Sequence, residues 1–167
     1  MSFARDLAAF LAPLGYDDLP PRATDYAAML IASTLASAAC GKEIVSTRIV
    51  RELARERGGA PQASLWFDAG AKLPAAETAQ VNAVMSDAAA SDDSDLRNIV
   101  HAGTPLTATS LAFAERLGAS GQDVLTAIVI GYEAAGRISE PITPNFRARG
   151  FHGCLGGRSW LGTQNEL

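Results

Sequence analysis

The sequence predicts an all-α domain, a multi-helix, bundle-like packing with at most one short extended segment near residues 63–67. Three observations carry that expectation. The chain is rich in alanine, and aromatics make up only 7%, which favours closely packed helices over sheets. Apolar residues recur at helical spacing in most segments. Gly, Pro, Ser, Thr and Asp punctuate those segments where caps and breakers belong. With 167 residues, 48% hydrophobic and 19% charged, one globular domain with a buried core is expected.

Taken in order, Phe3, Leu7, Phe10, Leu11 and Leu14 form an apolar stripe, predicting a first helix over roughly Ser2 to Leu14. Pro20-Pro21 ends the connection, and a second helix starts at Thr24 or Asp25 and stops at Gly41. Its run 26–40, YAAMLIASTLASAAC, is small or apolar on nearly every side, as a central helix enclosed by others would be. It is too short and too rich in Ser and Thr to span a bilayer. A third helix, Ser46 to Arg57, is expected to bury Ile49, Val50 and Leu53 and to show solvent a row of Arg48, Glu52 and Glu56. Gly58-Gly59 closes it.

Ala63-Ser64-Leu65-Trp66-Phe67 reads as one short extended segment, followed by a turn at Gly70. Pro74 opens a fourth helix, along which Val81, Val84, Met85, Ala88 and Ala89 fall at helical spacing. The acidic turn Ser91-Asp92-Asp93-Ser94-Asp95 stops it, because short polar side chains bond their own backbone. A fifth helix, Pro105 to Leu117, is expected with Thr104 as N-cap and Pro105 at its first position. Ser120-Gly121-Gln122-Asp123 is a capping box for a sixth helix, whose buried side is Leu125, Ile128, Val129, Tyr132 and Ala135. Pro141 and Pro144 stop that helix, and Asn145 to Gly153 reads as polar and irregular.

The net charge of −4 gives no general electrostatic case for nucleic acid or an anionic membrane. Cys40 and Cys154 are isolated, without CxxC spacing, which points to a reducing, cytoplasmic compartment. Two histidines and no thiolate cluster argue against a metal site. Residues 1–14 have no long apolar run and carry adjacent Arg5 and Asp6, unlike a signal peptide. Phosphate loops, GxSxG elbows and nucleotide fingerprints are absent.

The chemistry-bearing stretch is Asn82–Leu117. It holds a carboxylate pair and His101 on irregular backbone between two helices. A helix N-terminus follows His101, and its free N–H groups would attract an anion. The plain alternatives are that His101 fills a connection, that Asp92 only forms the turn, and that Tyr132 is core.

Several segments in this order resemble the MmgE/PrpD family: Asp92-Asp93-Ser94, His101 with its following helix, and 112–121 AFAERLGASG. Gly131-Tyr132-Glu133 with Arg137, and Gly150-Phe151-His152-Gly153, complete the series. That family includes 2-methylcitrate dehydratase, cis-aconitate decarboxylase and iminodisuccinate epimerase. The resemblance implies a lyase or epimerase domain acting on a small di- or tricarboxylate by acid/base chemistry, without a cofactor, as a homodimer. It implies His101, Asp93, Ser94 and His152 as catalytic residues, and Arg147 and Arg149 as a clamp for substrate carboxylates. It also implies that residues 1–153 are the first part of a longer helical domain, with 154–167 an irregular tail, and that this chain alone has little activity. Two features depart from the family's pattern: its acidic residue two positions before the Asp-Asp pair falls on Ala90, and a later lysine has no counterpart. The rival expectation is a non-catalytic helical module for packing or dimerisation.

Overall fold

The computed structural model describes residues 2–97 and 100–148, the side chains of 146 and 147 excepted. Among them are seven α-helices: α1 (Phe3–Leu11), α2 (Pro21–Gly41), α3 (Val45–Arg57), α4 (Ala75–Asp87), α5 (Gly103–Leu117), α6 (Gly121–Ser139) and α7 (Thr143–Ala148). A two-stranded antiparallel sheet pairs β1 (Ala63–Ser64) with β2 (Lys72–Leu73). The mainly helical class expected from composition and spacing is the class observed.

The central helix is α4, not α2. α4 packs against α2, α3, α5 and both strands. It buries residues on several faces, from Ala75 and Thr78 to Val81, Asn82, Met85 and Ser86. Its polar residues carry the hairpin: Asn82 Oδ1 accepts the Trp66 N–H at 3.1 Å, and Asn82 Nδ2 donates to the Ser64 carbonyl at 3.2 Å. Thr78 Oγ1 lies within hydrogen-bond reach of the Ala63 and Leu73 carbonyls. Buried amides and hydroxyls are tolerated here because the short strands offer backbone partners.

α2, expected to be enclosed, is buried along one face only, through Thr24, Ala27, Thr34, Ser37, Ala38 and Gly41. Tyr26, Met29 and Cys40 are exposed. A run of Ala, Ser and Thr is nearly as content against solvent as inside, so its composition did not determine enclosure. Gly41 ends α2 where it crosses α4; a Cβ there would sit 2.0 Å from the Met85 carbonyl oxygen. That contact is with backbone, which explains glycine better than helix termination does.

Other elements differ in ways with plain causes. α1 ends at Leu11 rather than Leu14: Ala12 is still helical, but Pro13 has no N–H with which to continue the ladder. Only Leu11 of its stripe is buried, and Phe10 instead lies under the Arg137 guanidinium at 4.9 Å. α2 begins at Pro21, where a missing N–H costs nothing. α3 rests on its neighbours through Thr47 and Ala54, so Ile49 and Leu53, expected inside, are exposed. Thr47 Oγ1 donates to the Gly41 carbonyl at 2.9 Å and holds the α2–α3 corner.

The extended segment proves to be one arm of a hairpin whose second arm, of two residues, is too short for a visible alternation. Beyond α6, Thr143–Ala148 is helical rather than irregular; Pro144 sits in its first turn, where no N–H is needed. The capping box at Ser120 and Asp123 is formed as expected. Its hydrogen bonds from Ser120 hold the Asp123 carboxyl below its ordinary range. Among the described residues no single helix is long and apolar enough to cross a membrane.

Candidate functional site

α4 ends at Asp87, and the chain reverses through Ala90, a non-glycine residue with φ +52°. Ser91 then ties this loop to α2: its hydroxyl donates to Ser37 Oγ, and Ser37 Oγ donates to the Ser91 carbonyl at 2.8 Å. Further on, Asp95 and Val100 pair as an isolated antiparallel bridge. The bridge sets the two sides of the loop against each other, and Asp92 and Asp93 lie beside His101.

Asp93 is the knot of the arrangement. Its Oδ1 accepts the Gly103 N–H at 2.9 Å, and its Oδ2 accepts the Tyr132 hydroxyl in a short hydrogen bond. Its backbone carbonyl lies 2.9 Å from His101 Nδ1. One residue therefore links the acidic loop, the start of α5, the middle of α6 and the imidazole. Burial first, and then the Asp93 carboxylate, push the Tyr132 hydroxyl well above its ordinary range, so it stays a donor.

Two expectations about the start of α5 change. The helix begins at Gly103, and Thr104 lies inside it with a buried hydroxyl that bonds nothing among the described residues. The capping group is the distant Asp93 carboxylate, a charge well placed at a helix N-terminus. Consequently the first of the amides expected to greet an anionic guest is already taken by the protein's own carboxylate.

His101 is partly exposed, with 29% of its side chain accessible, while the Asp92 side chain is buried at 3%. Asp92 Oδ2 lies 3.0 Å from His101 Nδ1. Its direction is poorer than that of the Asp93 carbonyl, and Oδ2 makes no well-formed hydrogen bond. No side chain among the described residues holds Nε2. Asp92, expected to be only a turn former, is thus beside the imidazole. Ser94, named with Asp93 as a site residue, is exposed and bonded to neither Asp93 nor His101. Tyr132, expected in the core, packs partly buried against it and also holds Asp93; a phenol so placed needs a partner for its hydroxyl. His152 and Arg149 lie outside the described residues, as does the side chain of Arg147.

A cavity of about 490 Å³ opens nearby, lined by residues of α2, α6 and the loop, among them Tyr26, Asp95, Arg97, Tyr132, Glu133 and Arg137. His101 does not line it. Tyr132 joins the two places, its hydroxyl on Asp93 and its ring on the cavity wall.

The family model for the MmgE/PrpD N-terminal domain matches residues 5–158. The chain belongs to this family. The match takes in every part of the arrangement just described, from Ser37 of α2 to Tyr132 of α6. Searches of curated proteins and of solved structures returned no match. Within an MmgE/PrpD N-terminal domain, then, the acidic loop and the imidazole lie between the end of α4 and the start of α5, tied to α6 through Tyr132.

Proposed function

We propose that this domain forms part of a cofactor-free lyase or epimerase for a small di- or tricarboxylate, with His101 as the acid/base. The observation that supports it most is the imidazole's setting: Nδ1 is held by the Asp93 carbonyl while Nε2 has no partner among the described residues. A ring anchored on one nitrogen and free on the other can take a proton from carbon next to a carboxylate. The electron pair then enters an enolate-like dianion. In a dehydration it expels hydroxide from the neighbouring carbon, and in an epimerisation it takes a proton on the opposite face from a second acid, the role His152 has in this reading. Asp93 acts through position, holding loop, helix and ring together. Arg147, Arg149 and His152 belong to the reading as carboxylate clamp and second histidine.

The test is turnover of citrate-like acids by the longest natural form of the protein and by its His101→Ala variant. A loss on the order of 100-fold or more is expected for removal of a general base. Unchanged turnover removes His101 from the mechanism.

A second reading, a packing or dimerisation module, is favoured by the apolar side chains left bare on α3, Val45, Ile49 and Leu53, and on α2, Tyr26 and Met29. A homodimer is compatible with either reading.

A further inference from the structure

Asp92 is a buried carboxylate that the proposed chemistry does not use. Taking a carboxylate out of water is costly unless a partner compensates. Among the described residues the group that faces Oδ2 is the Nδ1 edge of His101, at 3.0 Å. The same nitrogen lies 2.9 Å from the Asp93 carbonyl, so two acceptors converge on one ring position. Both are proton acceptors, and neither can donate to Nδ1 while Asp92 is ionised. A neutral imidazole in this setting must carry its proton on Nδ1 and point a lone pair outward from Nε2, since the nitrogen's neighbours select the tautomer.

We propose that Asp92 is a positioning residue, holding His101 in the Nδ1–H tautomer so that Nε2 is the basic, outward-facing nitrogen. The proposal rests on the acid/base reading of His101 for its purpose, though not for its physics. Asp93 supplies only a backbone carbonyl to the ring, while its carboxylate is committed to Gly103 and Tyr132. The paired aspartates thus divide their work: Asp93 builds the junction, and Asp92 orients the imidazole.

The test is nitrogen-15 NMR of the imidazole in the whole protein, at a pH where the ring is neutral. In the wild type the shifts should report Nδ1–H, with Hδ1 drawn further downfield by the nearby Asp92 carboxylate than the Asp93 carbonyl alone would place it. In Asp92→Ala that resonance should move upfield, and part of the population should shift to Nε2–H, the form favoured by a free side chain. A wild-type ring protonated on Nε2, or an Hδ1 in the range of a simple carbonyl acceptor, overturns the proposal even if the variant does not fold. Identical spectra for wild type and variant overturn it as well, because the Asp93 carbonyl then suffices. These readouts do not depend on turnover, so failure of the His101→Ala assay would sink the catalytic reading and leave the Asp92 assignment standing.

Discussion

The Asp93 carboxylate closes over the backbone of Gly103 so tightly that a Cβ at position 103 would lie 2.2 Å from Oδ1 and 2.7 Å from the Tyr132 hydroxyl. The missing side chain lets a carboxylate reach the first N–H of α5 from another part of the chain. Gly103→Ala should therefore cost stability, by about 1–3 kcal/mol net of alanine's better helix propensity. Chemical denaturation measures it. In an Asp93→Ser background the loss should shrink, because the shorter side chain leaves room; an equal loss in both backgrounds would place the cause elsewhere.

Tyr132→Phe keeps the ring and removes the hydroxyl that donates to Asp93. A hydrogen bond to a charged group contributes about 1.5–3 kcal/mol, and the variant should be destabilised by roughly that amount at neutral pH. The pH dependence has a definite sign. The hydroxyl's folded pKa is raised above its ordinary value of 10.0, so the folded state holds this proton longer than the unfolded state does. Its contribution is complete below pH 10 and is lost as pH rises beyond that value. Thermal melts between pH 8 and 11 (an interval of about one unit or more either side of the tyrosine reference) should show the wild type losing its advantage over Tyr132→Phe on the alkaline side.

Where α2 crosses α4, Gly41→Ala sets a methyl group against the Met85 carbonyl. The obstacle is backbone of the central helix, so α2 and α4 must separate. A loss of about 3 kcal/mol or more is expected, at the upper end of overpacking costs, read as a fall in melting temperature or as failure to fold. A near-neutral effect would mean the crossing is looser than described.

Val45, Ile49 and Leu53 lie along one exposed line of α3. The chain is expected to self-associate through such a bare face, and Ile49→Lys should reduce association while changing stability by only about 0.5 kcal/mol. Light scattering across a concentration series checks both parts. A wild-type chain that stays monomeric throughout contradicts the expectation.

Local signals reached the helices and part of the junction. Ser120 and Asp123 cap α6 through neighbours three residues apart, so the capping box was readable without any fold. The closeness of Asp93 to His101 was also anticipated, because a short loop between two helices leaves little room to separate them. What lay beyond reach was every contact made across the chain. Asp93 rather than Thr104 caps α5, and Tyr132 finds its partner 39 residues away, because only packed helices bring those groups together.

By itself, then, the sequence determined a helical chain, most of its boundaries, its family membership and a loop bearing two carboxylates before a histidine. Tertiary structure alone decided that α4 and not α2 is central, that α3 buries Thr47 and Ala54 while Ile49 and Leu53 face out, and that Asp92 meets the imidazole. The reason is physical: helix caps and periodicity act over one or two turns, whereas burial of small, weakly apolar side chains depends on which backbones approach closely enough.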